Sequence, residues 1–113
     1  MIQLYHNPRC KKSREGLAIL EDSNTEFEII KYLDNAPSEE VIKSILNKLG
    51  LAPIDLVRTQ EKIWKENFKG KSLSDSEIIS ALHNYPKLIE RPIVINQDKA
   101  ALGRPPERIK SIL

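Results

Sequence analysis

Hydrophobic residues along this chain form two patterns: short apolar or alternating runs, and longer stretches in which they recur every three or four positions. The short runs predict strands, in which successive side chains point to opposite faces of a sheet. The longer stretches predict amphipathic helices. The predicted strands cover 2–5, 27–32, 92–95 and 100–102, and the predicted helices cover about 10–22, 38–49, 53–57, 61–68 and 74–84, with a last one opening at 104–107.

Several predicted helices carry capping signals in the sequence. Ser38 is a good N-cap, and Gly50 is placed to end the same helix. Ser74 with Glu77 three residues later forms a capping-box signature. Gly16 weakens the first helix by up to about 1 kcal/mol relative to alanine, so packing must hold that helix. We expect residues 17–20 to form its core face.

The order of these elements is β-α-β, then a helical block, then β-β-α. With the block set aside, β-α-β-β-α is the order of a thioredoxin-type core, and a βαβ opening favours a parallel first pair with a right-handed crossover. The sequence therefore predicts an α/β fold, a thioredoxin/glutaredoxin-like mixed sheet with an inserted helical subdomain. We expect one domain over 1–113, with its core at about 1–36 and 87–113 and the insert at about 37–86.

Composition excludes several classes of protein. The 113 residues are 40% hydrophobic and 30% charged with a net charge of +2, so no strong field points to nucleic acid or membrane. No apolar run approaches the roughly 20 residues of a membrane helix, and no secretory signal is visible. One cysteine cannot form an intrachain disulfide, and no zinc-site pattern occurs. We expect a cytoplasmic monomer without a bound cofactor or metal.

The single cysteine, Cys10, is the strongest candidate for chemistry. It lies between a predicted strand and a predicted helix, and the segment 9–14 holds four cations around it. Positive neighbours and a helix N-terminus stabilise a thiolate, whereas a buried structural cysteine would have apolar neighbours. Ser13 stands where the second cysteine of a Cys-x-x-Cys pair would be. Its hydroxyl could donate a hydrogen bond to the thiolate but cannot resolve a disulfide.

A histidine and three arginines elsewhere in the sequence are further candidates for the site. His6 is either a structural loop residue or, if it faces Cys10, a group that favours the thiolate. The arginine fork suits a tetrahedral oxyanion, and the candidates are Arg58, Arg91 and Arg104. Spacing alone does not show that these arginines converge, and each could be a surface residue. We interpret His83 as a surface residue.

Three motifs in this order resemble the glutaredoxin-linked arsenate reductase family. They are His-Asn-Pro-Arg-Cys ending at Cys10, Arg-Pro-Ile-Val beginning at Arg91, and Gly-Arg-Pro ending at Pro105. The resemblance covers essentially the whole chain. It implies a thioredoxin-like fold with an inserted helical subdomain and a cis peptide bond before Pro92.

The resemblance also implies an activity. Cys10 would attack arsenate and expel an oxygen as water, glutathione would attack the arsenic, and glutaredoxin would reduce the adduct to release arsenite. Arg58, Arg91 and Arg104 match the oxyanion-binding arginines of the family, and His6 and Ser13 match positions that support the thiolate. The implied partners are arsenate or a similar oxyanion, glutathione as a co-substrate, and glutaredoxin.

Two other functions stay open on the sequence. A monothiol glutaredoxin-like oxidoreductase acting on glutathione mixed disulfides would need Cys10 and little else. A regulator resembling Spx, which shares the fold and binds RNA polymerase, typically carries Cys-x-x-Cys as a redox switch. Ser13 argues against such a switch, and the three arginines argue for an oxyanion site.

Overall fold

The computed structural model describes residues 1–113, which divide into two compact units. The first, here the sheet unit, combines Met1–Asn35 with Arg91–Leu113. The second, here the helical unit, is Ala36–Glu90. Each unit has its own buried apolar residues.

The sheet unit is a four-stranded mixed sheet with helices, which confirms the predicted α/β class. The strand order is β2-β1-β3-β4; β1 pairs with β2 in parallel, and β3 is antiparallel to both β1 and β4. The parallel pair requires the helical crossover that the βαβ opening predicts. The elements are β1 (Ile2–Tyr5), α1 (Lys11–Asp22), β2 (Phe27–Ile30), β3 (Ile93–Asn96), β4 (Lys99–Leu102) and a 3-10 helix (Pro106–Ile112).

The core of the sheet unit follows from the strand register. Leu4 on β1 is paired with Ile29 on β2 and with Val94 on β3, so the apolar centre of β1 lies in the middle of the sheet. Leu4, Val94 and Leu20 of α1 are fully buried in one cluster. Ile109 of the terminal 3-10 helix joins the same cluster, so this helix and α1 both close over the sheet.

Some local predictions for this unit were wrong in detail. Leu20 is buried and Leu17 and Ile19 pack against the core cluster, as expected, but Ala18 is exposed. Ser13 and Gly16 join the buried face, because residues spaced by three and four positions share one face of a helix. β2 ends at Ile30, because the chain turns at Lys31, whose carbonyl accepts from the amides of two later residues.

The helical unit contains three α-helices and two short 3-10 helices. The Ser38 side chain accepts from the Val41 amide, and Gly50 ends α2 in the left-handed region at φ 70°, as predicted. The capping box of Ser74 and Glu77 is present at the start of α4. The elements are α2 (Glu39–Leu49), a 3-10 helix (Pro53–Leu56), α3 (Lys62–Asn67), α4 (Asp75–Asn84) and a 3-10 helix (Pro86–Leu88).

Three aromatic rings pack against one another near the ends of α3 and α4, and one histidine contacts a backbone carbonyl outside its own helix. Trp64 is buried and stacks on Phe68 with ring centroids 5.2 Å apart, and Phe68 meets Tyr85 edge-on at 5.9 Å. Nδ1 of His83 lies 2.8 Å from the carbonyl oxygen of Pro37. His83 is partly exposed, and its imidazole joins the end of α4 to the segment before α2. No helix in either unit has the length and apolar character needed to span a membrane.

Candidate active site

The turn between β1 and α1 fixes the position of the only thiol. The Cys10 amide donates to the Asn7 carbonyl at 3.0 Å, and the Asn7 side-chain oxygen accepts from the Arg9 amide at 3.0 Å. Asparagine at the first position and Pro8 at the second are the residues that this kind of turn favours. The Arg14 guanidinium also donates to the Pro8 carbonyl at 3.0 Å. The local sequence therefore suffices to build a tight turn that ends at Cys10.

Cys10 is the N-cap residue of α1, with φ −93° and ψ 125°. This backbone geometry directs the side chain of an N-cap toward the free amides of the first helical turn. Partial burial by itself raises the pKa of the Cys10 thiol, but the backbone amides of Ser13 and Lys12 and the guanidinium of Arg91 act against it. The net effect holds the pKa of the thiol below its usual value, so the surroundings of Cys10 at the positive end of a helix favour the thiolate form.

Arg91 lies just before β3, and it is the charged side chain that lowers the pKa of the Cys10 thiol. The residue is buried. The Nε atom of Arg91 is buried without a hydrogen-bond partner in the protein. Buried N–H groups are normally paired, so an unpaired donor beside a thiolate is a feature that a bound oxyanion would satisfy.

Arg104 and the backbone around it hold the Arg91 segment in place. Arg104 donates from its guanidinium to the carbonyl oxygen of Arg91 at 3.0 Å. The Gly103 amide donates to the Pro92 carbonyl at 2.8 Å, which continues the β3–β4 pairing by one more bond. The Arg91–Pro92 peptide bond is cis, as the resemblance implied, and the Arg104–Pro105 bond is cis as well. The second and third motifs of the sequence thus meet at one end of the sheet unit.

Ser13 and His6 form a buried pair beneath the turn. The Ser13 hydroxyl lies 2.7 Å from Nδ1 of His6 and accepts from the Asn7 amide at 2.9 Å. Burial, together with the charge of Arg14, lowers the pKa of His6 below its usual value. The lowered pKa disfavours the charged imidazolium, and the side-chain hydrogen bond of His6 is with Ser13. The Ser13 hydroxyl is bound within the turn, whereas its backbone amide is the group that faces Cys10.

Arg58 belongs to the helical unit and has different neighbours. Its Nε donates to Glu61 at 3.3 Å, and its NH1 donates to Glu90 at 2.9 Å. The Arg58 amide donates to the Leu88 carbonyl at 2.7 Å, beside an antiparallel bridge that joins residues 57 and 89. Burial lowers the pKa of the Arg58 guanidinium, but Glu90 and then Glu61 raise it, with a net rise.

The sheet unit thus brings together five of the six residues proposed from sequence: Cys10, Ser13, His6, Arg91 and Arg104. Sequence reasoning gave no role to Glu61 and Glu90, the carboxylates that bind Arg58. Glu61 has a local signal, since it lies three residues after an arginine, but Glu90 contacts Arg58 through folding alone. No group of three or more His, Cys, Asp or Glu side chains is placed to hold a metal ion.

A family model, curated proteins and a solved structure all match this chain over nearly its whole length. The ArsC family model matches residues 5–112. The arsenate reductase of Neisseria meningitidis serogroup A is 41% identical over 114 positions, covering 99% of this chain and 97% of that protein. The arsenate reductase of Haemophilus influenzae is 44% identical over 112 positions, covering 97% of each chain. A solved arsenate reductase structure from Vibrio cholerae has a TM-score of 0.94 at 45% identity, covering 99% of this chain and 97% of that one.

Proposed function

This chain belongs to the ArsC family, and from that premise we propose that it reduces arsenate to arsenite with Cys10 as the nucleophile. The observation that carries the proposal is the pairing of Cys10 with Arg91. A thiolate at a helix N-terminus faces a buried guanidinium whose Nε has no partner. This arrangement suits a tetrahedral anion that must both bind and be attacked.

In the first step, the Cys10 thiolate forms a sulfur–arsenic bond, and one arsenate oxygen leaves as water after taking protons from solvent. Arsenic remains pentavalent at this stage. Arginine donors fixed around the oxygens lower the barrier, because they stabilise charge that redistributes as the bond forms. Arg91 is the donor that acts on the thiol, and Arg104 orients it through the Arg91 carbonyl.

Arg58 is proposed as a third oxyanion ligand on the resemblance of its position to the family's arginine. The carboxylates of Glu61 and Glu90 hold its fork in one orientation. They also oppose the approach of an anion, so we expect Arg58 to contribute less to arsenate binding than Arg91 does.

In the second step, glutathione attacks the arsenic of the adduct and displaces a second water. The glutaredoxin thiol then attacks the glutathione sulfur, so that a mixed disulfide of glutathione and glutaredoxin forms as the sulfur–arsenic bond to glutathione breaks. The electron pair of that bond stays on arsenic, which becomes trivalent. Water then displaces Cys10 from arsenic, which releases arsenite and regenerates the thiol. An external thiol is needed because this chain has no second cysteine, and Ser13 occupies the position where a resolving thiol would stand.

The direct test is arsenate turnover with glutathione and glutaredoxin, measured for wild type, Cys10→Ser, Arg91→Ala, Arg104→Ala and Arg58→Ala. We expect wild-type activity, none in Cys10→Ser, and a large loss in Arg91→Ala. No arsenate turnover by a wild-type protein whose thiol is reactive would refute the proposal. Activity that survives all three arginine changes would refute the oxyanion site.

The same preparations separate the two other functions. Turnover of a glutathione mixed disulfide without arsenate turnover would identify a monothiol oxidoreductase. Retention of RNA polymerase on the immobilised protein, again without arsenate turnover, would identify a regulator. We expect arsenate turnover and no retained polymerase.

A further inference from the structure

Two glycines of the sheet unit flank the ring of Pro92. A Cβ atom built on Gly16 would lie 2.9 Å from Cγ of Pro92, and one built on Gly103 would lie 2.7 Å from the same atom. Both distances are shorter than real Cβ contacts. Cδ1 of Ile109 lies 3.0 Å from each of the two built positions. The proline ring therefore occupies a slot that exists only because neither flanking residue has a side chain.

Close approach, and not backbone conformation, is what requires glycine at these two positions. The glycines with positive φ in this chain are Gly50 and Gly70, and a Cβ on either of those would meet nothing. Gly16 and Gly103 are both buried and lack positive φ. The atom they would meet belongs to a rigid ring, which cannot swing aside as the end of a flexible side chain can. An added methyl group must displace the ring or the elements that carry the glycines.

The residues that form the slot are linked through the backbone to both Cys10 and Arg91. Gly16 is on α1, whose N-cap is Cys10, and Pro92 is bonded directly to Arg91. Gly103 also donates its amide to the Pro92 carbonyl at 2.8 Å. A shift of the ring away from α1 would carry the backbone of Arg91 with it.

We propose that Gly16 and Gly103 are positioning residues that set the separation between the Cys10 thiol and the Arg91 guanidinium. This deepens the proposed function, because the same pair would bind and attack the oxyanion. Neither glycine touches the reacting atoms. They act through Pro92, which transmits the packing of α1 and of the segment after β4 to Arg91.

The test is the pH dependence of Cys10 alkylation by iodoacetamide in wild type, Gly16→Ala and Gly103→Ala. A methyl group on Gly16 pushes the ring away from α1 and widens the thiol–guanidinium separation, which leaves less thiolate at neutral pH and moves the midpoint of the profile to higher pH. We expect alkylation near pH 7 to slow by roughly three- to tenfold in Gly16→Ala, and we expect the midpoint to move in Gly103→Ala as well. This readout uses no arsenate, so it stands or falls separately from the proposed reaction.

A double-variant comparison shows whether the effect passes through Arg91. Adding Gly16→Ala to Arg91→Ala should leave the alkylation profile of Arg91→Ala unchanged, since the group being positioned is gone. A further slowing of similar size in that background would overturn the proposal. An unchanged midpoint in both folded glycine variants would overturn it as well.

The matched control is Ala18→Gly, which exchanges the same two residue types in the same helix at an exposed position. It alters helix propensity without reaching Pro92, and its alkylation profile should match that of wild type. Folding of every variant is checked by circular dichroism and thermal unfolding. If neither glycine variant folds, Ile109→Val removes the methyl group that shares the slot with the ring. We expect it to raise the midpoint by a smaller amount, and no change would overturn the proposal.

Discussion

Arg91 and Arg58 differ in whether nearby carboxylates balance the charge of the guanidinium. Arg91, in the sheet unit, is buried, lowers the pKa of the Cys10 thiol and has an Nε without a hydrogen-bond partner. Arg58, in the helical unit, is about a quarter exposed (24%) and is bound by two carboxylates. The charge of Arg91 is therefore available to a reacting anion, whereas that of Arg58 is already balanced within its own unit.

This difference shows that residue type does not define an anion site. An arginine stabilises an oxyanion in proportion to the charge and donors that its protein neighbours leave unused. Three arginines of similar sequence character thus have three roles in this fold: Arg91 faces the thiol, Arg104 holds the Arg91 backbone, and Arg58 is held by Glu61 and Glu90.

Removing the Arg91 guanidinium should have the largest effect on Cys10 chemistry. We expect Arg91→Ala to lower kcat/KM for arsenate by about 10²–10³-fold, as for the loss of one oxyanion donor. It should also raise the thiol pKa, because the charge that opposes the burial penalty is lost. The alkylation midpoint then moves to higher pH, and thiolate is lost at pH values where wild type keeps it.

Arg91→Lys is the matched control for that change. It keeps the charge but loses the planar fork, so we expect the thiol pKa to recover more fully than kcat/KM does. An alkylation midpoint that is the same in wild type and Arg91→Ala would contradict the contrast between the two arginines.

Removing the Arg58 guanidinium should reduce arsenate turnover less than removing that of Arg91 does, and it should also lower the free energy of unfolding. We expect Arg58→Ala to lower kcat/KM by roughly tenfold or less, mainly through KM, since a balanced charge adds little to the transition state. It leaves Glu61 and Glu90 without their shared partner, which should cost about 1–2 kcal/mol in urea unfolding.

The double replacement of Glu61 and Glu90 by glutamine sharpens this prediction. Glutamine keeps a hydrogen-bond acceptor but removes the opposing charge, so KM for arsenate should fall relative to wild type. A loss of activity in Arg58→Ala as large as that in Arg91→Ala would show that the carboxylates do not weaken Arg58.

Ser13→Ala separates the two hydrogen-bonding groups of one residue. Because the backbone amide of Ser13 faces the thiol while the hydroxyl binds the Asn7 amide and His6, the alkylation midpoint should move less than in Arg91→Ala. The buried Asn7 amide loses its acceptor, which should cost about 1–3 kcal/mol of stability. A shift as large as that of Arg91→Ala would instead give the hydroxyl the main role in holding the thiolate.

The smallest effect is expected from Ser38→Ala, at the N-cap of α2. Loss of the hydrogen bond from the Val41 amide should cost about 1 kcal/mol in urea unfolding. The Cys10 alkylation midpoint should stay at the wild-type value. A shifted midpoint would show that stability changes in the helical unit reach the thiol, and would remove the basis for comparing the arginines separately.

Local sequence predicted most of the elements of this protein. β1, the two Ser-capped helices and the turn at Asn7 depend on neighbours within a few residues, so periodicity and capping chemistry were enough to find them. The resemblance to arsenate reductases was confirmed by the family match over 5–112. The prediction for Ala18 was wrong, since this residue lies on the exposed face of α1, and the sequence did not show that His83 binds a distant carbonyl.

The sequence by itself determined that one thiol stands at a strand-to-helix turn, since the turn closes through bonds among Asn7, Arg9 and Cys10. Only the tertiary structure decided which charges act on that thiol. Arg91 reaches Cys10 because β3 pairs with β1, and Arg58 is balanced by Glu90, which lies far from it in sequence. The slot between Gly16 and Gly103 was also decided only by the tertiary structure, because it depends on how closely α1 and the end of β4 approach one proline ring. The strength of an ion pair or a packing contact depends on the distance between the partners in space. When the partners come from separate elements, their spacing along the sequence does not give that distance.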